Sequence, residues 1–186
     1  MSAIATETLI PSGSWAVDPT HSSVDFAVKH LGIATVRGKF ATFNGTLTLA
    51  DDLAGAQFAA TIDAASVSTA EEGRDAHLRS PDFFDVETYP TIEFVSTGVT
   101  PLDGESFTIQ GTLSMHGVTQ PVELTADVQG TEIDPWGNQR VGLEITGELS
   151  RGAYGMTFNQ VLGSGNFAVS DKVKLSLDVS AVRQAV

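Results

Sequence analysis

The sequence predicts an all-β fold, with antiparallel strands closed into a barrel of about eight strands or slightly more and one interposed helix. A two-sheet sandwich is the competing arrangement. Three observations carry this reading. Apolar residues recur at every second position in several segments, most cleanly where Val173, Leu175, Leu177 and Val179 alternate with Lys174, Ser176, Asp178 and Ser180. Side chains on a strand alternate between faces, so such runs have one apolar and one wet face and must share an interior. Only one stretch carries helical signals, and 186 residues suit a single large β domain.

Taken in order, residues 1–13 read as a flexible leader ending at Pro11-Ser12-Gly13, and residues 14–186 as one domain. A first strand runs from Ser14 to Asp18 and stops at Pro19. A second follows, with Val24, Phe26 and Val28 facing one way and Asp25 and Lys29 the other. After a turn at Leu31-Gly32-Ile33, a long strand is expected from about Val36 to Leu49. Gly38 and Gly45 within it suggest a bulge or bend. Phe58, Ala60 and Ile62 begin the next alternation. Thr69-Ala70-Glu71-Glu72 has the spacing of a capping box, which predicts a helix over Glu72 to Arg79 closed by Pro81. Strands resume at Ile92-Glu93-Phe94. They continue through Phe107, Ile109, Leu113 and Met115, then Val122, Leu124, Ala126 and Val128, then Val141, Leu143, Ile145 and Leu149. The reversal at Asp134-Pro135-Trp136-Gly137-Asn138 has turn chemistry. Residues 150–170 are glycine-rich with little period, and read as an irregular rim loop.

Composition removes several classes of function. There is no cysteine, hence no disulfide, thiolate metal site or catalytic thiol. Ten basic residues stand against twenty-three acidic ones, a formal charge of −13. Such a field argues against nucleic acid and anionic lipid surfaces as bulk partners. Met1 to Gly13 lacks Lys and Arg and is not read as a secretory signal. No run approaches the roughly 20 apolar residues of a membrane span. A soluble, cytoplasmic protein is the expectation.

Catalytic motifs are absent from the pattern. His21, His30, His77 and His116 are not at metal-binding spacing, although a barrel could bring two or three to one rim. They read as strand-end hydrogen-bonding groups, as a polar clamp on a ligand, or least well as a metal site. Ser22 next to His21 cannot form a nucleophile–base pair, because adjacent strand residues face opposite ways. Gly163-Ser164-Gly165 lacks the Lys-Ser or Lys-Thr of a phosphate loop. The expectation is a non-catalytic protein with no cofactor and no metal. The helical segment, with Leu78, Phe83 and Phe84 among charges, suits a plug or lid over a barrel end.

An ordered set of segments gives the reading more precision. These are Asp18 to Phe26 (DPTHSSVDF), His30, Val36 to Phe40 (VRGKF), Ser68-Thr69 and Arg74 to Phe84 (RDAHLRSPDFF). Tyr89-Pro90, Ile92 to Phe94 and Gly111 to Val118 (GTLSMHGV) complete it. Together they resemble the YceI-like family of polyisoprenoid-binding proteins. The resemblance implies an extended lipocalin-like barrel whose apolar tunnel holds a long isoprenoid, a polyprenyl compound or an isoprenoid quinone. The inward candidates are Val24, Phe26, Val28, Phe40, Phe94, Phe107, Ile109, Leu113, Leu124, Leu143, Ile145, Leu175 and Leu177. Each is equally at home as an ordinary core residue. The head-group end is drawn from His21, His30, His77, Arg79 and His116. A small enzyme on an isoprenoid-type substrate and a fully packed interaction protein are the alternatives. Pairing into a homodimer is left open.

Overall fold

The structure, a computed structural model, describes residues 10–185. Eleven strands and one helix make it up: β1 (Gly13–Val17), β2 (Ser23–His30), β3 (Ala34–Phe40), β4 (Phe43–Leu49), β5 (Gln57–Asp63), β6 (Val67–Ser68), α1 (Glu72–Arg79), β7 (Thr91–Pro101), β8 (Ser106–Met115), β9 (Val118–Ile133), β10 (Gln139–Ser150) and β11 (Val169–Arg183). Eight strands close an antiparallel ring in the order β1-β4-β5-β7-β8-β9-β10-β11, with β1 paired back to β11. The barrel, not the sandwich, is the solution. Strands β2, β3 and β6 extend this wall from the edge of β11.

The extension arises because β11 is longer than either partner. Its C-terminal end pairs with β1, Trp15 opposite Arg183, while its earlier part pairs with β2, Phe26 opposite Leu175. The single strand expected over 36–49 is likewise two strands. β3 follows β2 and β6, whereas β4 follows β1 and β5. The chain breaks at Ala41-Thr42, where both backbone N–H groups donate to Ser66, at its carbonyl and its hydroxyl. Gly38 and Gly45 lie within β3 and β4 and are not the break. Gly38 instead clears room for a ring, since a Cβ there would stand 2.3 Å from Phe26 Cζ.

Helix α1 has the expected bounds but a different cap. Glu71 is the N-cap, its carboxylate accepting from Gly73 N at 3.0 Å and Arg74 N at 2.6 Å. Thr69 turns instead toward Asp75, donating to its carboxylate from the backbone N at 2.7 Å and the hydroxyl at 2.6 Å. Ser80 ends the helix in extended backbone, as a residue before proline must. The expected leader overlaps the described residues only at 10–13. There Ile10 is buried in the core and Pro11 accepts from Trp15 Nε1, so this end is packed and not loose. Residues 1–9 lie outside the described residues.

Two apolar clusters lie inside the barrel. One, around Trp15, Leu47, Phe58, Phe107, Val141 and Leu143, packs the end where β9 turns into β10. The other, around Phe40, Val67, Ile92, Met115 and Tyr154, lies beneath α1 and the rim loop.

Candidate functional site

Between the two clusters the interior is hollow. A chamber of about 160 Å³ is lined by Val24, Phe26, Phe40, Phe94, Ile109, Leu113, Leu124, Leu143, Ile145, Leu175 and Leu177 among the expected residues. Val24, Phe26, Phe94, Leu113, Leu175 and Leu177 are only half-buried although they point inward. An inward apolar side chain keeps accessible surface only when it faces a void. Two expected residues lie elsewhere. Phe107 packs against Phe58, ring centroids 5.9 Å apart, in the solid end. Val28 faces a second cavity of about 310 Å³, a vestibule also lined by Phe26, Val36, Leu78, Phe83, Phe158 and Val169.

Phe26 lines both spaces and is the partition between them. Its ring lies across Gly38, its cross-strand partner, and 5.7 Å from the Phe40 ring. The vestibule is roofed by the α1 segment. His77, Phe83 and Phe158 form a triad of edge-on rings with centroids 4.9–5.5 Å apart. This roof is held from both sides. Arg74 Nε donates to Thr69 Oγ1 at 2.7 Å, and Asp75 accepts from Thr69, which holds the Asp75 carboxyl below its usual range. Arg79 donates to the carbonyls of Ala65 and Val67 and so ties α1 to β6. It anchors the roof and does not reach the cavity.

The irregular 151–168 segment is organised by a residue the sequence did not single out. Arg151 is buried and donates to four carbonyls, those of Met156, Phe158, Val169 and Ser170. Its guanidinium also lies 5.9 Å from the centre of the Phe83 ring. Burial pushes its pKa down without a carboxylate in direct contact. A planar fork with five donors can satisfy four carbonyls where no other side chain could. Arg151 thereby sets the position of Phe158 in the roof.

The polar candidates separate. His30 and His77 both border the vestibule, and His77 Nε2 is 2.8 Å from Asp82 Oδ2. His116 sits in the β8–β9 turn with Nδ1 2.8 Å from Tyr154 O, outside both cavities. His21 is at the far end of β2, exposed and bonded to Asp18 at 2.8 Å. The expected gathering of histidines at one rim is therefore reduced to His30 and His77, because β2 carries His21 and His30 to opposite ends. Among the described residues no three His, Asp or Glu converge as a metal-sized group. Missed lining residues include Phe43, Ile62, Ile92 and Val122 in the chamber and Phe83 and Phe158 in the roof. Ile92 and Val122 share the alternation of chosen neighbours and were legible. Phe158 lies where the sequence has no period.

The comparisons agree with this architecture. Residues 15–181 match the YceI-like domain. A protein of Pectobacterium carotovorum from the group UPF0312 is 38% identical over 165 residues, covering 88% of this chain and 82% of that protein. Among solved structures, BcnA of Burkholderia cenocepacia superposes with a TM-score of 0.76 at 22% identity, covering 88% of this chain and 98% of that one. A polyisoprenoid-binding domain from Saccharophagus degradans superposes with a TM-score of 0.69 at 20% identity, covering 91% and 98%. With the domain spanning nearly the whole barrel, the chain belongs to the YceI-like family.

Proposed function

We propose that this protein binds a long apolar lipid, a polyisoprenoid or isoprenoid quinone, and stores or carries it without chemical change. The observation that carries the reading is the hollow itself: apolar side chains that alternation directs inward meet a void. A closed cavity of about 150 Å³ lined by Leu, Ile and Phe stays dry and admits only a guest the size of benzene. The chamber of 160 Å³ is of that size, so a long chain needs the vestibule of 310 Å³ as well. Joined past Phe26 they reach the roughly 300–1,000 Å³ usual for ligand sites. Burial of CH and CH₂ surface at roughly 25 cal/mol per Å² supplies the affinity. The polar side chains at the mouth, His30 and His77, suit a single head group. The similarity to a domain described as polyisoprenoid-binding supports the same reading.

The test is gentle purification followed by organic extraction and mass spectrometry. A polyprenyl or quinone-type lipid is expected to copurify. Leu113→Arg, which puts a charge into the chamber wall, should abolish loading. Phe26→Ala, which removes the partition, should keep loading and shift the recovered lipids toward longer chains. Recovery of no lipid, with no uptake of added polyprenyl or quinone ligands, overturns the proposal.

A further inference from the structure

Ten cations serve this chain of charge −13, and five of them, Lys29, Arg37, Lys39, Lys172 and Lys174, line one open groove of about 930 Å³ that spans β2, β3, β9, β10 and β11. They include every lysine in the sequence. Three carboxylates share the groove, Asp25, Glu123 and Glu148, so it is locally positive while the rest of the chain carries −15. The other five cations are all arginines with structural hydrogen bonds: Arg74 and Arg79 at α1, Arg140 to two aspartates, Arg151 to the rim loop, and Arg183 to Gln139 and Ser12. In the groove only Lys172 has an ion-pair partner among the described residues, Glu148 at 2.8 Å. Lys29, Arg37, Lys39 and Lys174 are exposed and hold nothing in place.

A second feature adjoins the first. The β2–β3 turn is 40% exposed at Leu31 and 84% at Ile33, and the rim loop beside it is 70% exposed at Val161 and 60% at Phe167. Leu31 N donates to Ala168 O, and Val161 pairs with Phe167, which places the two tips side by side. Leu31 and Gly32 both have positive φ, 55° and 71°, in a turn that favours Asn, Asp or Gly over leucine. Turn formation does not explain an exposed leucine there. Lys29 lines both groove and vestibule, so the basic face and the apolar tip meet at the mouth of the cavity. Of the other exposed apolar residues, Ile133 and Trp136 have arginines nearby, but Arg140 is committed to Asp18 and Asp134 and Arg183 to Gln139 and Ser12.

We infer that this face docks on an anionic lipid surface, with the apolar tip in the interface, the cations on the head groups and the vestibule turned to the bilayer. A basic collar around exposed apolar side chains is the chemistry such a surface retains. Net charge does not forbid it. Exposed charges farther apart than the Debye length of about 8 Å at physiological salt are largely screened from one another, so carboxylates on the far side of the barrel weigh little at the groove.

Docking needs no cargo, so its test is separate from that of lipid storage. The full chain is sedimented with vesicles of equimolar phosphatidylcholine and phosphatidylglycerol, and with pure phosphatidylcholine vesicles. Expected are binding to the anionic vesicles only, release by high salt, and a roughly fivefold loss of partitioning for each of Lys29→Gln, Arg37→Gln and Lys39→Gln. Ile33→Ser should also weaken it. These exposed positions leave thermal stability unchanged, which is checked alongside. No sedimentation at low salt overturns the inference, as does equal binding to both vesicle types. A dimer in analytical ultracentrifugation that Ile33→Ser dissociates, without vesicle binding, also overturns it and assigns the face to a second copy.

Discussion

The two ends of this barrel are built from the same alternating strands and use them in opposite ways. Where β9 turns into β10, Trp15, Phe107, Val141 and Ala181 are at most 1% exposed and the interior is solid. Beneath α1, Val24, Phe26, Val28 and Leu113 point inward and remain half-buried. Alternation thus decides which face a side chain takes, and the size of what stands opposite decides whether it meets protein or space. The solid end has Trp15 to fill its centre. The hollow end has glycines beneath its rings, Gly38 under Phe26 and Gly111 under Phe94, so the rings lie along the wall and not across the lumen.

The sharpest way to break this comparison is to truncate a leucine at each end. Leu49→Ala, in the solid cluster and lining neither cavity, leaves a new void in a packed region and should cost about 3–4 kcal/mol. Leu113 already borders a cavity, so Leu113→Ala loses mainly transfer energy, about 1–1.5 kcal/mol. Guanidinium unfolding of both variants measures the difference. Equal losses would show that the helix end is as solid as the other.

Acid tests the ends by their charges. Hydrogen bonds from Arg140 and then His21 hold Asp18 well below the ordinary carboxylate range. Burial pushes Asp134 up, but hydrogen bonds from Arg140 and Asn138 outweigh it and keep this carboxyl low as well. At the helix end Asp75 is lowered by Thr69, and Asp171 by Ser150 and Gly152 N. Each folded pKa lies below the unfolded value of 3.8, so the stabilisation is present above that value and is lost as pH falls through it toward the folded ones. Thermal melts should be flat near neutrality and decline below about pH 4. Arg140→Gln removes the partner of two carboxylates and should lower the neutral-pH Tm and flatten the acid limb more than Asp75→Asn does. The reverse order would place the dominant acid-sensitive contact at the roof.

The strands were legible because period two survives on any half-buried sheet, and Leu113, Leu175 and Leu177 could be assigned to the interior on that ground alone. The helix bounds were legible from Glu72 and Pro81. Its cap was not, since Thr69 and Glu71 both have capping chemistry and only the fold shows that Asp75 claims the threonine. The corner at Ala41-Thr42 was hidden because a continuous alternation says nothing about which neighbour each half will pair with. The roof residues Phe83 and Phe158 were invisible as a pair: they are 75 positions apart, and the carbonyl fork of Arg151 that brings Phe158 in leaves no periodic trace. Net charge hid a local feature in a similar way, because a sum over the chain cannot show that the lysines share one face.

The smallest expected effect concerns a buried polar atom at each end. In the solid end Trp15 Nε1 donates to Pro11 O at 3.2 Å. In the other, Tyr154 is 1% exposed and its hydroxyl has no hydrogen-bond partner among the described residues, while burial raises its pKa. A buried hydroxyl without a partner costs roughly 1–3 kcal/mol of desolvation, and removing it while keeping the ring recovers part of that. Tyr154→Phe should therefore raise the Tm slightly, by up to about 1 kcal/mol of added stability. His116 still donates from Nδ1 to the Tyr154 carbonyl, because that bond uses the backbone. Trp15→Phe should do the opposite, since it strands the Pro11 carbonyl and opens a void. A lower Tm for Tyr154→Phe would mean that the hydroxyl is satisfied in solution, and that the two ends differ in packing alone.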